Sequence, residues 1–238
     1  MSDVHAFGGP AYGALAGLAK TNAVILAAAL PGTLPRRFRR EALQLLRMRV
    51  LPPRVALFQW RALRRASAIN DTFSLTSATR PEDLSRLLKL AAKRRSVAEL
   101  GTATGWTAIS LALSDPGVQV ITYDPSPHPE RSAYLELVSP DVRARITCIG
   151  AAGSSGPPVG LEVELLYIDS SHARDETIAE FAAWRPALVP GAVVVFDDYL
   201  HPNYPGVRAA VEALALDGHP VGTMYVHQVR SATRATGR

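Results

Sequence analysis

From Thr79 onward, short apolar runs alternate with stretches in which apolar residues recur every three or four positions. Runs such as "VELLYI" and "AVVVF" have no polar alternation, as expected of strands covered on both faces. The pattern predicts strands at 96–100, 118–123, 145–149, 163–168, 192–196 and near 221–229. Helices are predicted at 105–114, 129–138, 173–185 and 206–216. Thr79 and Glu82 have the spacing of a capping box over a helix running to about Lys93. Strand-helix alternation of this kind implies an α/β, doubly wound and mostly parallel sheet. In such sheets ligands collect at the carboxyl ends of the strands, so the residues just past each strand carry the most information.

Before Ala68 the chain has another character, rich in Ala, Leu and Arg and without strand-like runs. Helices are predicted at 11–30, 36–50 and 54–68, broken by Pro31-Gly32 and Pro52-Pro53. The chain therefore divides into an N-terminal helical, Arg-rich segment, 1–70, and a sheet domain, 71–238. Residues 36–65 hold ten arginines against Glu41, while the whole chain carries a net charge of +5. Its basic character thus belongs to one segment, suited to a lid, a dimer contact or peripheral contact with an anionic membrane surface. The apolar run from Ala23 to Leu34 is shorter than the roughly 20 residues a membrane helix needs. No Lys or Arg precedes Lys20, so no basic leader is expected. A lone Cys148 excludes an intramolecular disulfide and fits a reducing, cytoplasmic setting.

Three strand ends carry candidate chemistry. "ELGTATGW" puts Glu99 on a strand and Gly101, Ala103 and Gly105 in the turn into a helix, where small residues let backbone approach a ligand. Ala103 and Trp106 occupy the second and third glycine positions of a dinucleotide fingerprint, which counts against NAD or FAD. Asp124 ends the next strand, placed to accept hydrogen bonds from a ribose diol. "ELLYIDSSH" and "VVVFDDY" each run a buried strand into acid, Asp169 in the first and Asp197-Asp198 in the second. Neighbouring strands would bring these carboxylates together, where they repel unless protonated or bridged by a cation. The alternative is that Asp169 caps the helix starting near Ala173 while Asp197 and Asp198 are solvated loop residues. Oxygen-only donors suit Mg²⁺ or another hard divalent cation.

"ELGTATGW" resembles motif I of the class I S-adenosylmethionine (SAM)-dependent methyltransferases, in the form found in catechol O-methyltransferase-like enzymes. The resemblance spans about Thr76 to Arg230 and implies a seven-stranded, Rossmann-like sheet. It implies that Glu99, Gly101, Thr102, Gly105, Trp106 and Thr107 serve the cofactor's methionine side, and that Asp124 binds its ribose. Ala151 and Ala152 would lie by the adenine, and Ser170 against the cofactor. "FDDY" is similar to the Asp-Asp form of bacterial sugar O-methyltransferases, which makes Asp169, Asp197 and Asp198 the implied metal ligands. His172 stands where the catechol-type enzymes carry a catalytic lysine, and a neutral imidazole can take a proton near pH 7. Asp169 and His172 are thus the catalytic candidates, with His201 a competing base and Tyr199, Tyr204 and Arg208 at the pocket border.

The expected activity is Mg-dependent O-methyl transfer from SAM to a hydroxyl of a small molecule or saccharide, in a dimer or other homo-oligomer. Two other readings stay open. A nucleic-acid methyltransferase would use the arginines, but "IDSSH" is not the Asn/Asp-Pro-Pro-aromatic motif of adenine N-methylation, and Cys148 lacks the setting of a cytosine-attacking nucleophile. A non-catalytic module docking on a membrane or partner would not need the acid set.

Overall fold

The computed structural model describes residues 46–230. The predicted helix 11–30 and most of 36–50 lie outside them. Helix α1 (Pro53–Ala68) starts on a proline whose missing N–H costs nothing at a first-turn position. Its buried face, including Val55, Phe58 and Ala62, joins the core against the sheet helices. Then come α2 (Thr72–Ser77) and α3 (Pro81–Ala91). The sheet domain follows as β1 (Ser96–Leu100), α4 (Trp106–Ser114), β2 (Gln119–Tyr123), α5 (Arg131–Leu135), α6 (Pro140–Arg143) and β3 (Ile146–Ile149). It continues with β4 (Val163–Ile168), α7 (Arg174–Trp184), β5 (Leu188–Phe196), α8 (Pro205–Ala213), β6 (Gly218–Val221) and β7 (Met224–Gln228).

The seven strands form one sheet in the order β3-β2-β1-β4-β5-β7-β6. Pairs from β3 through β5 are parallel, and β7 is antiparallel to both its neighbours. Alternating side chains feed two cores: Val97, Leu165 and Val193 on one face, Ala98, Leu166 and Val194 on the other. The strand order reverses between β1 and β4, so a crevice opens at their carboxyl ends.

Three local expectations are corrected. Arg80, not Thr79, is the N-cap of α3, and the Thr79 hydroxyl instead meets that of Thr107 at 3.1 Å. The region after α8 holds two strands, because Gly222 at φ +67° turns the chain between β6 and β7. The helix predicted at 129–138 shrinks to α5, with Pro140 opening a separate turn of helix.

Candidate active site

The backbone ladder runs on past the strands, and this brings the site together. Asp169 N–H donates to Leu100 O at 2.8 Å, and Asp197 N–H to Ile168 O at 2.9 Å. The acids therefore leave adjacent strands in register. Gly101 (φ +105°) crosses so close to β4's exit that a Cβ would stand 1.8 Å from Asp169 O. Only glycine fits there, on both sterics and φ. Beyond it lies a cavity of about 870 Å³, within the roughly 300–1,000 Å³ usual for small-molecule sites. Gly101, Ala103, Asp124, Ala152, Asp169, Ser170, His172, Asp197, Asp198 and His201 all line it.

On the β1–β2 side, Ala103 N–H donates to Asp124 Oδ2 at 2.6 Å and Ser126 N–H to Oδ1 at 2.8 Å. His128 Nε2 stands 3.5 Å from the same carboxylate, which is thus rigidly aimed at the crevice. Glu99 and Thr102 lie behind the wall, not on it. Thr122 donates to Glu99 at 2.5 Å and exchanges a 2.7 Å hydrogen bond with Thr102. Burial pushes Glu99 up to about 8, against the smaller opposing effect of the Thr122 hydrogen bond. Trp106 is core, edge-on to Tyr134 at 5.2 Å. With Thr102, Gly105 and Thr107 it lines an adjoining recess of about 40 Å³, which shares Gly101, Ala103 and Asp169 with the cavity. Ala151 packs against the core instead of the cavity.

On the β4–β5 side, His172 Nε2 lies 3.3 Å from Asp169 Oδ1 and 3.3 Å from Asp198 Oδ2, near enough for ion pairing though off hydrogen-bond geometry. Burial alone would lower its pKa, but the two carboxylates outweigh that and hold it at about 10. The Tyr167 hydroxyl sits 2.9 Å from Asp197 Oδ2 and 3.1 Å from Asp169 Oδ2. Burial, then the nearby Asp169 and Asp198, push Asp197 up to about 8. Ala103, His172 and Asp198 all adopt positive φ (46°, 60° and 52°), a backbone strain that gathers at this cavity.

The methyltransferase-domain family matches residues 98–199, which contain both sides of this cavity. No curated protein matches the chain. Among solved structures, cofactor-bound Rv0187 from MTB is 23% identical, with TM-score 0.60, over 72% of this chain and 91% of that one. The O-methyltransferase TomG from Streptomyces achromogenes, solved with SAM, is 22% identical with TM-score 0.55, over 71% and 88%. An O-methyltransferase from Bacillus cereus, in complex with SAH, is 17% identical with TM-score 0.51, over 71% and 90%. These likenesses establish the class I methyltransferase fold.

Within this fold, Asp169, Asp197 and Asp198 leave neighbouring strands towards the same cavity. Yet among the described residues no group of three or more His, Cys, Asp or Glu is disposed to hold a metal ion. The oxygen donors suit a hard cation by chemistry, and His172 stands between two of them. At the pocket border, Tyr204 lines the cavity, stacked between His172 (4.3 Å) and His201 (4.8 Å). Tyr199 instead packs on Tyr225, and Arg208 pairs with Glu212 on the surface.

Several lining residues were not singled out in the sequence. Arg80 reaches Asp83 and Thr223, each at 2.8 Å, and all three line the cavity. Glu176 and Glu180, one turn apart on α7, line it as well. Their i,i+4 spacing beside buried Thr177 and Phe181 was the available signal.

Proposed function

We propose that this protein is a SAM-dependent O-methyltransferase acting on a hydroxyl of a small molecule or saccharide. One observation carries the reading: the Gly101 turn and Asp124 share one cavity with Asp169, His172, Asp197 and Asp198. When bound, SAM supplies a sulfonium methyl for in-line transfer to an acceptor oxygen. Gly101 and Ala103 offer bare backbone to its methionine end, and Asp124 accepts hydrogen bonds from its ribose hydroxyls. Ala152 and Ser170 flank the rest, while Glu99, Thr102, Gly105, Trp106 and Thr107 support the turn from behind or beside it.

Asp169, Asp197 and Asp198 are the residues that would hold Mg²⁺, whose bound form lowers the pKa of a coordinated hydroxyl. His172 is the proposed base. Held at about 10 by its two carboxylates, it is an imidazolium near neutrality and must loosen from them before it can accept the acceptor's proton. A second reading is favoured by its 3.3 Å distances to Asp169 and Asp198: the imidazolium itself is the counter-charge of the acid cluster.

The test is transfer of labelled methyl from SAM to pooled sugars and phenols, with Mg²⁺ or with EDTA. Transfer lost on chelation and in Asp169→Ala supports the metal reading. Transfer that survives thorough chelation removes the metal and favours the imidazolium as the counter-charge of the acid cluster. Label appearing only on nucleic acid would overturn O-methylation of a small molecule.

A further inference from the structure

The wall facing Ala152 holds a buried acid for which the proposed chemistry has no use. Glu180 is 1% exposed, yet it borders the cavity. Ser170, leaving β4, donates its hydroxyl to Glu180 Oε2 at 2.6 Å. The other oxygen, Oε1, lies over Gly153, where a Cβ would stand only 2.6 Å from it. Glycine at 153 therefore leaves open the position of Oε1, which makes no hydrogen bond among the described residues.

The surroundings are built to hold it there. Glu176, Glu180 and Trp184 form one stripe of α7, one turn apart. Ser154 donates to Glu176 at 3.0 Å, and Trp184 Nε1 donates to Gly153 O at 2.8 Å. Helix α7 thus clamps the turn after β3 from both ends, with Glu180 in the middle. Oε1 is not sealed in the core but reachable from the cavity, so it is free to accept a hydrogen bond from a donor bound there.

Given the SAM reading, the cofactor's donors can be assigned in turn. Its ribose hydroxyls go to Asp124 and its methionine end to the Gly101 turn, leaving the exocyclic amine of the adenine. The geometry points to Glu180 as the adenine-specifying residue, its Oε1 accepting a hydrogen bond from the 6-amino group in a pocket shaped by Gly153, Ala152 and Ser170. Burial raises the acid to about 7, so the bare cavity holds it partly protonated, and a donor from the cofactor would favour its acceptor form.

The experiment is calorimetric binding of S-adenosylhomocysteine and of its analogue bearing hydrogen in place of the 6-amino group, to the wild type and to Glu180→Met. The wild type should prefer the amino form by about tenfold or more, the scale of one hydrogen bond to a charged group. In Glu180→Met that preference should fall to about one. A side chain with only a structural role would weaken both ligands equally and leave the ratio unchanged, which overturns the assignment, as does a wild type without preference. If thermal unfolding shows Glu180→Met unfolded, Glu180→Gln replaces it. Its neutral amide should cut the ratio at least about threefold, and an unchanged ratio is again contrary. A wild type that binds neither ligand removes the SAM reading itself and this inference with it.

Discussion

His172 shows how strongly neighbours decide a residue's chemistry. Its offset from Asp169 suggested a neutral base, but two carboxylates at 3.3 Å make it a cation. The sequence could not show this, since Asp198 arrives from another strand and turns inward through a positive-φ backbone. Replacing His172 with Ala should lower turnover by about 100-fold or more if it moves the proton. Unchanged rates across about pH 6 to 9 would place the base elsewhere. Glu99 yields a separate expectation. Its folded pKa of about 8 exceeds the ordinary 4.5, so between those values the folded protein binds more protons than the unfolded chain. Stability attributable to Glu99 is therefore greatest at low pH and is lost as pH rises towards 8. Melting should drop by at least about 3 °C from pH 6 to pH 9, and Glu99→Gln should flatten that slope. A slope as steep in Glu99→Gln as in the wild type would assign it to other groups.

At the scale of elements, apolar runs made the parallel strands legible, and "VELLYI" runs over the same residues as β4. The β6–β7 hairpin was not legible as two strands, because β6 is "GHPV", mostly exposed and interrupted by proline. Thr79 misled for a different reason: the capping-box spacing is present, but its hydroxyl has a better partner in Thr107. What positions the site is the contact between the exits of β1 and β4. Gly101→Ala puts a Cβ into Asp169 O and a side chain at φ +105°. It should cost more than about 2 kcal/mol of stability and abolish cofactor binding, as read by denaturant unfolding and calorimetry. Gly153→Ala, which crowds a side chain instead of backbone, should leave the fold intact while weakening S-adenosylhomocysteine binding by about tenfold.

Across the molecule, one cavity joins what the sequence presented as three separate strand ends. Their shared cleft could be read beforehand, because strand-helix alternation implies a switch point and ligands collect there. The contributions of α3 and α7 to its walls could not, since Arg80 and Glu180 reach it only through tertiary packing. Among the described residues no helix is long and apolar enough to cross a membrane. Of the ten arginines in residues 36–65, Arg36, Arg37, Arg39 and Arg40 lie outside the described residues, and the other six lie within them, on and just before α1. The domain's division of labour is open to direct measurement by titrating S-adenosylhomocysteine into the wild type, Asp124→Ala and Asp198→Ala. The expected result is one site per chain, weakened about tenfold or more in Asp124→Ala and changed by less than about threefold in Asp198→Ala. No binding to the wild type, or binding indifferent to Asp124, would contradict the account.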